Sequence, residues 1–298
     1  MGDTTRSPRD RHARAGLAFT LPFMALFAAV FVAPLLYALY LSLFRERLVG
    51  GREFVGLEHY VEGLQDEAFL GGVGRVALFV AVQVPVMLGL ALVLALVLDS
   101  GRVRFARLFR VGIFVPYAVP TVIAALMWGF LYGRDFGPIA DVANRLGVPA
   151  PNLLGADTLL WSIANVTTWT FTGFNMIVLL TALRGIAPEV YEAAALDGAG
   201  AVRTALHVKL PLLRPALLLC TVFSVIGAFQ LFAEPRIFFT MAPQVIGKDF
   251  TPNLYVFNLA FSDHRLNYAA ALSFLLGAVV FVVSFVVMHL SRRPATRG

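Results

Sequence analysis

Cysteine is almost absent from this chain: 298 residues contain one, Cys220, set in an apolar stretch. No intrachain disulfide can form and no cysteine metal cluster is possible. Charge is scarce as well, at 14% of residues against 59% hydrophobic, and the mean hydropathy of +0.78 lies well above that of a soluble domain. Such a chain needs lipid as its solvent. Acidic and basic residues avoid the centres of the long apolar runs, so the intramembrane ionisable groups on which ion-coupled carriers usually rely are missing there. The histidines, His12, His59, His207, His264 and His289, are scattered and place no metal-ligand pair within a run. No Ser/His pair is placed by the sequence either, which leaves an intramembrane hydrolase without machinery. The Gly247-Lys248 pair is followed by Asp249 and lacks the earlier glycine of a phosphate-binding loop.

What is present is basic: the net charge is +6 and the pI is near 9.8. The arginines sit in short clusters beside apolar runs rather than on one long basic face, which argues against nucleic acid and for membrane orientation. Arg6, Arg9, Arg11 and Arg14 precede an apolar stretch from Ala15 to Phe44. That stretch is too long for a signal peptide and shows no cleavage pattern, so it reads as an uncleaved first span.

A helix crossing the hydrocarbon core needs about 20 mostly apolar residues. Six stretches qualify: Leu17 to Phe44, Val76 to Leu98, Val111 to Tyr132, Leu159 to Leu183, Ala216 to Phe239 and Ala269 to Leu290. They are continuous rather than alternating, which excludes a membrane barrel. The predicted fold is an all-α integral membrane protein with six transmembrane helices, organised as a tail (1–14), a six-helix bundle (15–291) and a second tail (292–298). With the N-terminus in the cytoplasm, the inside segments hold Arg102, Arg104, Arg107 and Arg110, then Arg184, Arg203, Lys209 and Arg214, then Arg292, Arg293 and Arg297. Both termini should therefore be cytoplasmic in a protein of the cell membrane. The connections 45–74 and 133–158 then fall outside, long enough to dock a soluble partner or simply to cap helix ends. Pro116 and Pro120 either kink the third span passively or bend it around a pathway.

Between the fourth and fifth spans lies Arg184 to Pro215, RGIAPEVYEAAALDGAGAVRTALHVKLPLLRP. Pro188 suits a first helical turn, Glu189 and Glu192 lie near the positive end of the helix dipole, and Gly198 with Gly200 permit a sharp exit. A second short helix, about Ala201 to Leu210, should be closed by Pro211. Small Ala193, Ala194 and Ala195 allow close approach, and Tyr191, Leu196, Leu206 and Val208 offer apolar contact. Either a cytoplasmic partner or the lipid headgroups could cover that surface.

The string Glu192-Ala193-Ala194, then Asp197-Gly198-Ala199, then Leu210-Pro211 resembles the EAA loop of binding-protein-dependent ABC importers. Phe54 to Tyr60, Phe114 to Trp128 and Asn267 to Phe274 resemble the carbohydrate branch, specifically the first permease subunit of the maltose, lactose and glycerol-phosphate type. The resemblance implies a type I importer permease fold whose loop is a coupling helix, with Glu192 a polar anchor and Gly198 the turn. It also implies a second homologous permease subunit, a cytoplasmic ATPase dimer that binds ATP and magnesium so that this chain carries no cofactor, and an extracytoplasmic substrate-binding protein. Sugars are held by hydrogen-bonding side chains and aromatic faces, and Thr168, Phe171, Thr172 and Asn175 share one helical face. Ser224, Gln230, Asn258 and Tyr268 could extend it. Polar residues gluing helix to helix would read the same way. Glu234, with Arg236 two residues on, reads as a hydrated or salt-bridged interface group, and a substrate or docking role is its alternative. Asp99 reads as an ion-pair partner beside Arg102 and Arg104. The absence of basic residues from the spans favours a neutral sugar. The competing function is an ion-coupled secondary transporter.

Overall fold

The computed structural model describes residues 8–47, 50–135 and 137–291, with the side chains of 8–16 and 290–291 excluded. Arg6, Arg292, Arg293 and Arg297, with the side chains of Arg9, Arg11 and Arg14, therefore lie outside the described residues. The chain forms two compact units, one of residues up to Gln65 with Leu259–Leu275, the other of Asp66–Asn258 with the remainder.

In the first unit, α1 (Pro8–Phe27) passes through a π-helical stretch (Ala28–Val32) into α2 (Ala33–Ser42). Helix thus begins at Pro8 within the segment expected to be a tail, although the apolar span itself is Leu17–Ser42. A hairpin of β1 (Phe44–Arg47) and β2 (Gly51–Phe54) follows, and Phe44 faces Phe54 across it. Beyond α3 (Glu58–Gly63), the Asn267 amide donates to the carbonyls of Leu41 (2.9 Å) and Phe44 (2.8 Å). The Leu41 carbonyl lies in the last turn of the span, where helical partners run out, and that of Phe44, the first residue of β1, is met by His59 Nε2 as well (3.2 Å).

The second unit is built on α4 (Glu67–Asp99) packed along α8 (Leu159–Arg184). Helix α4 starts nine residues before the apolar run because Asp66 caps it, accepting from Ala68 N (2.9 Å) and Phe69 N (3.1 Å). One face of α4 carries fully buried Ala91 and Ala95, packed in a cluster with Met176, Leu179 and Leu183. The opposite face leaves Val86, Leu90, Val93 and Val97 about half exposed, an apolar surface that only lipid or another apolar partner suits. Lipid gives no hydrophobic drive between helices, so close van der Waals contact over small residues must hold such a pair.

The third crossing is sharply bent at the prolines expected to kink or bend it. Helix α5 (Ala106–Phe114) and a 3-10 turn (Val115–Ala118) meet α6 (Thr121–Tyr132) at a bend of 97°. Pro120 forces Val119 into extended backbone (ψ 124°) and supplies no N–H to continue the ladder. Among the described residues five helices are long and apolar enough to span a membrane, and this bent pair is the sixth if counted as one. Helix α7 (Pro138–Arg145) precedes α8.

Helix α9 (Pro188–Leu196) is followed by α10 (Ala201–Thr204), a π-helical stretch (Ala205–Lys209), α11 (Leu210–Leu212) and α12 (Arg214–Phe229). Pro211 does not close the second loop helix as expected. The π-helical turn shifts the hydrogen-bond register, so the missing Pro211 N–H is accommodated and the helix continues to Leu212, one turn residue short of the fifth span. That span then breaks at 230–232 before α13 (Ala233–Met241). The freed carbonyls are met from the following turn and from α14 (Pro252–Phe261): Thr251 Oγ1 donates to Leu231 O (3.1 Å) and Asn253 Nδ2 to Phe229 O (3.2 Å). Arg75 pins the turn to α4 by donating to the carbonyls of Phe250 (2.6 Å) and Asp249 (3.3 Å). Helix α15 (Leu266–Ser291) is the last described element.

Gly173 in α8 sits directly on the backbone of Ile113 and Phe114, and a Cβ there would collide with the Ile113 carbonyl. Gly173→Ala should therefore force α5 from α8 and cost about 1–3 kcal/mol, as overpacking does. A melting midpoint in detergent lowered by a few degrees is the expected result, and an unchanged midpoint would contradict this packing.

Candidate functional site

The two breaks and the α4–α8 pair enclose a cavity of about 600 Å³ in the second unit, within the ~300–1,000 Å³ range of small-molecule sites. Aromatic faces come from Tyr117, Phe171, Phe174 and Phe223, and polar groups from Gln83, Asn175, Ser224, Gln230 and Glu234. Tyr117 stacks on Phe174 with centroids 4.8 Å apart and meets Phe171 edge-on at 6.0 Å. The bend at Pro120 aims Tyr117 inward, so of the two readings of these prolines the structure realises the bend around a cavity.

Of the residues expected on this surface, Phe171, Asn175, Ser224 and Gln230 line the cavity. Thr172 does not; its hydroxyl donates to Thr168 O at 2.6 Å, the back-bonding open to a threonine within a helix. Thr168 receives the Gln83 amide at 3.4 Å, a polar tie between α8 and α4. Asn258 is spent on the Lys248 carbonyl (3.0 Å), and Tyr268 faces His59 and Arg265. Gln83 and Tyr117 were missed. The first was signalled by being the lone amide in an otherwise apolar run, the second by lying between two prolines.

Glu234 is not a hydrated interface group. It is 3% exposed and lines the cavity, while Arg236 lies over the Phe257 ring at 5.4 Å instead of pairing with it. Among the described residues no lysine or arginine lines the cavity.

The loop after α8 presents a different surface. Helix α9 ends in a Schellman motif: Ala199 N donates to Ala194 O (2.9 Å) and Gly198 N to Ala195 O (3.0 Å), with Gly198 at φ +72°. Only glycine adopts that angle without strain. Glu192, Ala193 and Asp197 are exposed, Ala194 is buried, and Leu210 and Pro211 are half-buried. Leu196 is 90% exposed and Val202 72%, an uncovered apolar surface beside the acidic residues. The loop is fastened at its base, where Lys209 Nζ donates to Asp99 Oδ2 at 2.6 Å and the Tyr191 hydroxyl to Leu183 O at 3.2 Å. Asp99 thus pairs with Lys209 rather than with nearby Arg102 or Arg104. Burial, with the Asp99 carboxylate second, pushes the Tyr191 hydroxyl pKa above its ordinary value.

Bent membrane helices around a cavity of mixed aromatic and polar lining, with an apolar loop projecting from their ends, make the fold of a membrane transport subunit. Residues 87–296 match the family of binding-protein-dependent transport system inner membrane components. The chain belongs to that family. It is 31% identical to the lactose transport system permease protein LacF of Rhizobium radiobacter, over 98% of this chain and 99% of that one. It is 29% identical to the arabinooligosaccharides transport system permease protein AraP of Bacillus subtilis, over 92% of this chain and 87% of that one. Its fold matches a bacterial ABC transporter involved in import of the acidic polysaccharide alginate with a TM-score of 0.83, at 19% identity over 96% of this chain and 98% of the other. The chain is therefore a permease subunit, and ion-coupled transport finds no support.

Accessibility of the cavity to water can be read with a soluble maleimide after Cys220→Ser removes the native thiol. Ser224→Cys should be modified and Thr172→Cys should not; equal labelling of the two would contradict the assignment of the lining.

Proposed function

We propose that this subunit forms half of the translocation pathway of an importer for a neutral sugar or oligosaccharide. Its other half is a second, homologous permease subunit, the loop 184–215 docks on a cytoplasmic ATPase dimer, and an extracytoplasmic binding protein delivers the sugar. Both termini are cytoplasmic in this reading. ATP and its magnesium ion bind the ATPase, not this chain.

The observation that carries the substrate class is the cavity lining. Flat faces at Tyr117, Phe171 and Phe174 suit the apolar side of a pyranose, and Gln83, Asn175, Gln230 and Glu234 supply donors and acceptors for hydroxyls. A wall without lysine or arginine suits an uncharged substrate, and the sugar permeases among the relatives support the same class. Orientation is supported by the Asp99–Lys209 pair, which brings the basic stretch 102–110 to the same end of the bundle as the loop. The ATPase seat is supported by exposed Leu196 and Val202 next to Glu192 and Asp197.

The loop reading is tested by Glu192→Lys and by a pair of changes at Gly198. A Cβ on Gly198 meets nothing within 4 Å. Gly198→Ala therefore probes only the positive φ, at a cost of about 1 kcal/mol, whereas a bulky Gly198→Trp also blocks docking. Glu192→Lys and Gly198→Trp should abolish sugar uptake while the protein still inserts, and Gly198→Ala should reduce it less. Normal uptake in all three would contradict the coupling role. Import of a neutral sugar should also fall on Tyr117→Ala, seen as lost accumulation of radiolabelled sugar, and full accumulation would remove the cavity from the pathway.

A further inference from the structure

Three walls of the cavity are α4, which contributes Gln83 and Met87, α8, which contributes Phe171 and Asn175, and α12, which contributes Ser224. Each is tied to the loop, two of them through the chain itself and the third by side chains alone. Helix α12 is tied covalently, because Leu210–Leu212 leads into Arg214 with Leu213 N still bonded to Lys209 O at 2.9 Å. Helix α4 is tied by the Asp99–Lys209 pair, both side chains only 15% exposed. Helix α8 runs into the loop through residues 185–187 and is held to it a second time by the Tyr191 hydroxyl on Leu183 O. The Lys209 ammonium also lies 5.0 Å from the Tyr191 ring centroid, which joins the last two ties to each other.

This pair is unlike an exposed ion pair, which salt and water weaken. Shielding strengthens the attraction, and removal of one partner would strand the other charge. Asp99 is also the last residue of α4, where the helix dipole disfavours a carboxylate and so increases its need of a cation.

We infer that Asp99, Lys209 and Tyr191 form a clasp that makes displacement of the loop a displacement of three cavity walls together. They are positioning residues: none lines the cavity, and each acts through the helix it holds. The inference rests on the reading of the loop as the ATPase seat.

The test uses the complete transporter with its ATPase and binding protein, Cys220→Ser throughout, and Ser224→Cys as a reporter modified by a water-soluble maleimide with and without ATP and magnesium. With the native clasp, ATP should change the labelling rate several-fold. Asp99→Asn and Lys209→Met should each remove most of that change while the ATPase still co-purifies, and the exchanged pair D99K/K209D should restore it. Tyr191→Phe, which keeps the ring and loses the hydroxyl, should reduce it in part. Single variants that keep the full response, or an exchanged pair that fails to recover it with ATPase bound, would overturn the clasp alone. A native transporter whose reporter ignores ATP would overturn the loop reading, and the clasp with it.

Discussion

A backbone carbonyl or N–H left bare in hydrocarbon costs several kcal/mol, and this constraint governs where the bundle can open. Straight helices packed side by side would leave no room for a substrate. Room requires breaks, and each break frees polar groups that must be met within the protein. At 119–120 the chain uses proline, which has no N–H to strand. At 230–232 it uses donors from elsewhere: Thr251 and Asn253 meet the freed carbonyls, and Arg75 holds the turn that carries them. The side chains nearest these breaks, Tyr117, Gln230 and Glu234, are the ones that reach the cavity.

The same economy of backbone groups shapes the loop. Its first helix ends where Gly198 turns left-handed, and its second passes through Pro211 by way of the π-helical stretch and stops only at the turn of Leu213, directly before the fifth span. In the proposed reading a push on the loop reaches the cavity wall at Ser224 through the single turn at Leu213 that separates α11 from α12. Glu234 gives the cavity a buried carboxylate of the kind proton-coupled carriers employ. Family membership decides against that mechanism, and in the proposed reading its use is hydrogen bonding to sugar hydroxyls.

Much of this was legible in the residues. Length and hydropathy of the apolar runs locate the spans, because few other solutions bury so much apolar surface in lipid, and the EAA string marks the loop. Phe171 and Asn175 are found by helical spacing alone. Thr168 and Thr172 share that spacing yet miss the cavity, since threonine hydroxyls turn readily to backbone or to a neighbouring amide, and periodicity cannot tell a lining group from glue. The partner of Asp99 was hidden because it lies 110 residues away, while Arg102 and Arg104 are close only along the chain. Pro211 misled for a local reason: its usual effect as a helix stop was absorbed by a change of helical register that no residue type announces.

In the proposed reading a nucleotide-driven partner covers the loop and moves the bundle through it. Hydrogen–deuterium exchange of residues 188–212, in the isolated subunit and in the complete transporter, tests this most directly. The account predicts marked slowing of these amides on assembly, with a further change on ATP binding that extends into α12. Exchange in the loop that is identical in the two preparations would contradict it.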